Sequence, residues 1–583
     1  MSEITPNPAE LASKEALDRV FSCIDKGKSF RLEAGAGAGK TYSLIKSLKY
    51  IIEKHGQSLL RRKQQVACIT FTNVATNEIN SRTDRHPVIY CSTIHAFCWS
   101  LIKDFQPFLR QQIPNLKNWP ERLVDIGDVG NRSINYELGY PGIDDKHVSL
   151  HHNDVLALTI QLLNEIKFRD LVSDRYPYLF IDEYQDTDEK IAAALIKHFL
   201  DTEKGPLIGF FGDHWQKIYG DGCGLIDHPK LETIGKEANF RSAPVIVDCL
   251  NRMRPDLPQK VENPTAEGSV AVFHTNEWVG TRRTGQHWAD DLPADSAHSH
   301  LEAAKELLTN EGWDFSAGTT KILMLTHNVL AAEQGYSSLA QVFSHKESFV
   351  KKEDDHIAFF IDILEPVCIA YSEKKYGEMF ALLGSRTPRI GTHQDKVSWS
   401  KDMDDLAILR KSGNIGAVLD YLRRTKRPRL PEAVERKERE LAEAQQIVKE
   451  ATEETTSIDR LRKLRDISYQ EVINLARFIN DETPFSTKHG VKGAEFENVL
   501  VVCGRGWNIY NDNQFLEWAG TPVKIPVDKK ESFERNRNLF YVACSRPKKR
   551  LAVLFTQKIN TKAMDILVKW FGRESIRSLQ ISG

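Results

Sequence analysis

The chain has 583 residues, 79 Lys plus Arg against 80 Asp plus Glu, and a net charge of −1. That length is expected to hold about four domains with real cores, and the near-neutral balance excludes bulk basicity as a reason to bind nucleic acid, which would need local basic surface. No stretch approaches the roughly 20 apolar residues that cross a bilayer, residues 1–30 lack a signal-peptide layout, and nine scattered cysteines without a CxxC pair suit a reducing compartment and exclude a zinc site, so a soluble, cytoplasmic protein is expected.

In chain order, Phe30 and Leu32 alternate as in a strand and lead into Ala34, Gly35, Ala36, Gly37, Ala38, Gly39, Lys40 and Thr41. Leu44, Ile45, Leu48, Ile51 and Ile52 then recur at helical spacing, with Gly56 as a stop. Small residues between a strand and a helix let the backbone wrap a phosphate chain, and the amides of the helix start point at negative charge. Lys40 is placed to reach the β- and γ-phosphates, and the Thr41 hydroxyl to hold Mg²⁺. Ala34 stands where the generic pattern has Gly.

Further apolar runs follow at Val66 to Phe71, Tyr178 to Ile181, Leu207 to Phe211, Ile322 to Leu325, Val499 to Val502 and Leu551 to Phe555. Each precedes a polar cluster and a helical pattern, which predicts an α/β fold of parallel sheets with helices on both faces. Ligand residues in such sheets gather at the carboxyl ends of strands. There fall Thr70 to Asn73, Asp182 to Asp186, Gly212 with Asp213, and Thr326 to Asn328.

Residues 105–150, rich in Pro, Asn and Gly, read as a small insertion, and residues 336–480 as mainly helical. Within the latter, Arg429 to Asp466 reads as a charged helix or helix pair, a solvated arm with sparse apolar positions at Leu441, Ile447, Val448, Leu461 and Leu464. The basic runs at Arg61 to Lys63, Arg423 to Arg429 and Arg546 to Arg550 read first as solvated faces, and His151 with His152 as surface residues.

Tyr178-Leu-Phe-Ile-Asp-Glu-Tyr-Gln-Asp-Thr187 is the second strong signal. A buried strand delivers Asp182 and Glu183 side by side. Asp182 is placed to hold Mg²⁺ and Glu183 to orient and deprotonate an attacking water, the two roles phosphoryl transfer needs.

With these motifs the chain resembles a superfamily 1 helicase of the UvrD/Rep group. Its first motif is similar to Ala34–Thr41, Ala in first place included, and its second to Asp182-Glu-Tyr-Gln-Asp-Thr187. Thr70-Phe-Thr-Asn73 and Ser92-Thr-Ile-His-Ala-Phe97 resemble its strand-contacting motifs, which implies DNA-binding roles for Phe71, Thr72, Asn73, Thr93 and His95. Gly212-Asp-His-Trp-Gln-Lys-Ile-Tyr219 would place Gln216 as γ-phosphate sensor. Asn239-Phe-Arg-Ser242 would give Arg241 a γ-phosphate role and Phe240 an adenine stack. Thr487-Lys-His-Gly-Val-Lys-Gly-Ala-Glu-Phe496 would supply Thr487 and His489 to DNA and Gly493 and Glu495 to the nucleotide. Asn538 to Arg546 resembles the sixth motif, with Arg546 as arginine finger. Phe71 and Trp215 are the aromatic candidates for base stacking.

The resemblance implies two RecA-like parallel-sheet lobes with inserted, mainly helical accessory subdomains. The first lobe would hold residues 1–104 and 151–243, with the insertion 105–150. The second would hold 244–335 and 481–583, with the helical insertion 336–480. It also implies an ATP- and Mg²⁺-dependent motor moving 3′-to-5′ on single-stranded DNA. The compact insertions, and a likeness to the helicase subunits of anti-phage systems such as Gabija, raise a second expectation: an ATPase gated by DNA ends or single strands that licenses a partner nuclease.

Three departures stand out. Residues 1–33 contain no Gln, so the family's adenine-reading glutamine has no counterpart and stacking on Phe240 is expected to substitute. Gly220-Asp-Gly222 replaces the aromatic and basic residues that follow the third motif. The stretch after Arg546 is expected to leave no room for the nuclease of the RecB-like branch.

Overall fold

Strands that read as unbroken apolar runs should be covered on both faces, as in a parallel sheet flanked by helices. The computed structural model describes residues 7–124, 126–137, 141–202, 204–218, 220–285, 288–325, 327–343, 349–384, 390–444, 453–504 and 510–581. Within it, β1 (Phe30–Ala34), β2 (Val66–Thr70), β3 (Ile89–Thr93), β4 (Tyr178–Asp182), β5 (Leu207–Gly212) and β6 (Glu232–Lys236) form one sheet. Their order is β3-β2-β4-β5-β1-β6 and every pairing is parallel. Phe30, Phe180 and Phe211, one from each of β1, β4 and β5, pack edge-to-face at 5.3–5.9 Å between ring centroids. Such pairs add specificity beyond the area they bury.

Helix α1 (Pro8–Asp25) starts with a capping box between Asn7 and Glu10 and buries Ala16, Val20, Cys23 and Ile24. Helix α2 (Lys40–Arg61) buries Leu44, Ile45, Leu48 and Ile51 of the expected stripe, leaves Ile52 half-buried, and runs on through Gly56, the expected stop. Helices α3 (Asn73–Arg82) and α4 (Ile94–Ile102) follow β2 and β3, and α5 (Pro244–Met253) lies beyond β6. Residues 105–150 hold short helices and a three-stranded sheet.

The second sheet comprises β7 (Ser269–His274), β8 (Thr320–Met324), β9 (Phe485–Thr487), β10 (Phe496–Cys503), β11 (Pro547–Phe555) and β12 (Ile576–Ser578), in the order β9-β8-β10-β11-β7-β12. β8 pairs in parallel with β9 and β10. The chain thus has the α/β fold of two RecA-like sheets. By compactness it divides into one unit of Met1–Ala271, Asp512–Leu551 and Asn560–Ile576, and another of Val272–Asn511, Ala552–Ile559 and Arg577–Gly583. Among the described residues no helix is long and apolar enough to cross a membrane. Thr326, Tyr219, Ile447 and Val448 lie outside the described residues.

Between residues 337 and 479 the described elements are helical. The charged segment forms a pair, α6 (Glu432–Ala444) and α7 (Glu453–Asp466). The expected solvated arm needs correcting, because Val434, Glu438, Leu441 and Leu464 are buried. The reason is an ionic anchor that apolar periodicity does not display. Glu438 accepts from His356 Nε2 at 3.1 Å and pairs with Arg465, while His356 Nδ1 lies 3.7 Å from Asp354. Burial opposes charge on His356, but the hydrogen bonds and charges of Asp354 and Glu438 hold its pKa above the ordinary imidazole value.

A raised folded-state pKa contributes stability that is complete below the unfolded imidazole value and lost as pH rises through the folded one. Amide hydrogen exchange should therefore show α6 better protected at pH 6 than at pH 9, after correction for intrinsic rates. His356→Leu should lower its opening free energy at pH 6 by about 2 kcal/mol and flatten that dependence.

Candidate active site

The loop between β1 and α2 has little room for side chains. Gly37 and Gly39 adopt left-handed φ of +75° and +73°. A Cβ on Gly37 would stand 2.8 Å from Asn239 Oδ1 and 2.9 Å from Arg241 Cβ, so conformation and space both demand glycine. Gly39 begins α2 with no side-chain cap, leaving first-turn amides aimed where an anion can accept them. The loop is held from behind. Phe240 N donates to Gly37 O at 2.9 Å, Asn239 Nδ2 to Ala36 O at 3.1 Å, and Gln259 Nε2 to Ala36 O at 3.0 Å. Gln259 is a buried brace that no motif announces.

Lys40 Nζ lies 3.5 Å from Glu183 Oε1. Asp182, buried at the end of β4, has its carboxyl pushed up to about 7 by burial and by the adjacent Glu183 charge, against the pull of Lys40. Glu183 itself takes a left-handed backbone, φ 48° and ψ 47°. A non-glycine residue held there costs on the order of 1 kcal/mol and marks a position the surroundings over-determine. The Gln185 side chain donates to Glu183 and accepts from Asp213 N.

Arg546 is buried and anchored by Nε to Val542 O and by Nη2 to Ser545 Oγ, both at 2.9 Å. Arg241 Nη1 donates to Ser545 O at 3.1 Å. Burial and the neighbouring Arg241 guanidinium lower the Arg546 pKa, and the Glu183 charge opposes them. The fold therefore brings Lys40, Glu183, Arg241 and Arg546 together beside the loop. Phe240 is half-buried and packs against Ala9, Ala12 and Ala238.

Gln216 ends a short turn, and its Nε2 donates to Asp213 Oδ2 at 2.7 Å. Asp213 is fully buried and bridges to Arg254 Nη1 at 2.6 Å. Arg254 also approaches Glu33 at 3.7 Å, which receives Arg31 Nε at 3.1 Å and the Tyr184 hydroxyl. Glu33, Asp213 and His214 have ligand atoms within 4.8 Å of one another, but two guanidiniums already balance their charge. Trp215 packs against Arg537 at 4.1 Å, Arg254 at 5.2 Å and the edge of Tyr541 at 5.4 Å. It is half-buried within this cluster. Asn538 Nδ2, on helix α8 (Lys530–Cys544), donates to His214 O and Lys217 O, both at 3.0 Å. Sequence reasoning missed Glu33 and Arg254, and quoted Asn538 in a motif without its role; Arg254 and Asn538 find partners far along the chain.

The expected strand-contacting residues sit at the carboxyl ends of β2 and β3, where Thr70 pairs with Thr93. Phe71 is 48% exposed, and Thr72 Oγ1 caps α3 by accepting from Ala75 N at 3.2 Å. Asn73 is exposed and Thr93 half-buried. The His95 ring lies 5.0 Å from His152, and burial plus that neighbour lower its pKa. Thr487, His489, Gly493 and Glu495 belong to the other unit. There Thr487 Oγ1 accepts from Gly490 N at 2.9 Å, His489 Nε2 lies 3.4 Å from the Tyr510 hydroxyl, and Gly493 and Glu495 are exposed.

Comparison with known proteins agrees with this geometry. Residues 21–221 match the AAA domain family and residues 300–558 the UvrD-like helicase C-terminal domain. Gabija protein GajB of Bacillus cereus is 24% identical over 96% of this chain and 97% of its own length. The ATP-dependent DNA helicase PcrA of Staphylococcus aureus is 26% identical over 38% of this chain and 37% of its own. The ATP-dependent DNA helicase Rep of Buchnera aphidicola is 27% identical over 38% of this chain and 40% of its own.

Removing one member of a buried ion network strands the others. Arg254→Met should destabilise its unit by about 3 kcal/mol, read by urea unfolding followed through tryptophan fluorescence, whereas Arg252→Met on the exposed side of α5 should change it by less than about 0.5 kcal/mol.

Proposed function

Because the chain belongs to the UvrD/Rep-like superfamily 1 helicases and is accordingly an ATP-dependent DNA helicase, we propose that it moves 3′-to-5′ along single-stranded DNA, hydrolysing ATP at the loop 34–41. The observation that carries this reading is the gathering of Lys40, Arg241 and Arg546 around the single carboxylate of Glu183. Even with Asp182 beside Glu183, the three cations outnumber the carboxylates, a positive surplus that a triphosphate matches.

In this mechanism the loop and the α2 amides hold the phosphate chain, and Lys40 leaves Glu183 for the β- and γ-phosphates. Glu183, so released, orients the attacking water and takes its proton. Gln216, fixed by Asp213, senses the γ-phosphate, and Arg241 with Arg546 stabilises the charge that develops on the transferred group, an effect of about 10³–10⁵ in rate for a supplied arginine. Thr41 and Asp182 fit Mg²⁺: they offer hydroxyl and carboxylate oxygens, which suit a hard cation, and the Asp182 carboxyl is crowded by Glu183 more than the pull of Lys40 offsets. Bound there, Mg²⁺ would neutralise phosphate charge. Phe240 stacks the base. In the first unit Phe71, Thr72, Asn73, Thr93 and His95 hold the strand, with stacking on Phe71 contributing about 1–3 kcal/mol per base; in the other unit Thr487 and His489 are the strand-contacting residues.

A second reading rests on the likeness to GajB, which spans nearly the whole of both chains. In it the chain is a strand- or end-gated ATPase that licenses a partner nuclease in phage defence and unwinds little by itself.

ATPase rates measured in parallel with no cofactor, single-stranded DNA, duplex DNA and RNA should show the largest stimulation by single-stranded DNA. Tailed duplexes test polarity: unwinding confined to 5′ tails would overturn it, and strong stimulation without unwinding would favour the second reading. Lys40→Ala should abolish hydrolysis yet leave nucleotide-free strand affinity within about twofold, because phosphate contacts to the strand dominate that affinity. Arg546→Ala should bind ATP and lower kcat by about 10³ or more; normal turnover in that variant would sink the mechanism.

A further inference from the structure

β6 ends on Lys236, which pairs in register with Ala34 at the mouth of the phosphate loop. Its side chain is fully buried. The ammonium donates to Gly39 O at 3.2 Å and to Ser43 Oγ at 2.8 Å, and the rings of Tyr42 and Phe240 lie 5.6 and 5.8 Å from it. Two acceptors satisfy two of its three N–H groups, and both are neutral.

Its surroundings make a positive charge expensive there. From α2 it faces Tyr42 and Ser43, with Lys46 at 5.5 Å from the same Tyr42 ring. Lys40, near by in sequence, is paired with Glu183. From β1 it faces Ala34, and Glu33 before it is committed to Arg31 and Arg254. Glu237 follows it in the chain and α1 presents Ala9 and Ala12 nearby, yet no carboxylate bonds to Lys236 among the described residues. Its pKa falls to about 8 through burial alone. The positive end of the α2 dipole adds to the cost. A buried ammonium persists in such a place when an anion completes the site.

We propose that Lys236 is a fourth cation of the nucleotide site, beside Lys40, Arg241 and Arg546, held without a carboxylate partner beneath the phosphate loop so that the bound polyphosphate supplies its counter-charge. The inference rests on the reading of residues 34–41 as a triphosphate-binding loop. The alternative, a mere brace for the Gly39 carbonyl, needs a donor but no charge.

Lys236→Gln separates the two, since it keeps a donor and removes the charge. Titration calorimetry of the full chain with the non-hydrolysable analogue AMP-PNP should show affinity about tenfold weaker in Lys236→Gln, with adenosine binding unchanged, because the lost interaction is Coulombic and acts on phosphate. At pH 8.5, in bicine and Tris buffers of different ionisation enthalpy, the wild type should take up about half a proton more per AMP-PNP than the variant, as expected for a group whose charged form the ligand stabilises. Should the variant fail to fold, the wild type still decides: its AMP-PNP affinity must fall between pH 7.5 and 9.5 while adenosine affinity stays level. Equal AMP-PNP affinity and proton uptake in the two proteins would overturn the proposal, as would a pH-independent wild type. A Lys40→Ala chain that binds AMP-PNP as tightly as the wild type would overturn the reading of the loop itself, and this inference with it.

Discussion

A concentration of positive charge around a loop of glycine and alanine is the constraint from which the rest of the site follows. The loop cannot carry bulk, because Gly37 meets Asn239 and Arg241 at contact distance. It cannot be left slack either, so Asn239, Phe240 and Gln259 hold its carbonyls from behind. Lys40, Arg241 and Arg546 would repel one another if Glu183 did not stand among them. That single carboxylate is in turn held on a left-handed backbone, a cost the surrounding sheet and turn sustain.

Beneath this lies a second charged layer with a different purpose. Glu33, Asp213, Arg31 and Arg254 are buried and mutually neutralised, and they fix geometry. Gln216 is positioned through Asp213, and the turn carrying it is gripped by Asn538 from helix α8. Arg546 lies just beyond the end of that helix. The residue expected to sense the γ-phosphate and the residue expected to stabilise its transfer are therefore tied by a handful of polar contacts, an arrangement suited to changing both at once.

The helical part of the chain solves a different problem. A highly charged segment cannot dock through apolar surface alone, and α6 docks through Glu438, His356 and Arg465 with Val434 and Leu441 beside them. The desolvation cost of such buried pairs offsets much of their mutual attraction, so losing one partner costs more than the intact pair contributes. The near end-to-end likeness to GajB covers this segment as well as the nucleotide-binding part.

Local chemistry made much of this legible in the sequence. Strand alternation placed β1, β2, β4, β5 and β10 within a few residues, since each is an apolar run bounded by polar clusters. Ala34–Thr41 and Asp182–Glu183 declared themselves because a phosphate loop and a metal-holding acid impose residue types at short, fixed spacing. What tertiary structure alone decided were the pairings across long separations. Nothing near Arg254 announces that it neutralises Asp213 and Glu33, nothing near Gln259 that it braces Ala36, and Lys236 reads as one more solvated lysine until the sheet buries it beside Ala34. The contacts of Trp215 with Arg537, Arg254 and Tyr541 were likewise beyond the reach of sequence. Spacing along a chain encodes which backbone a residue sits on, whereas burial and charge compensation belong to the assembled interior, where residues hundreds of positions apart become neighbours.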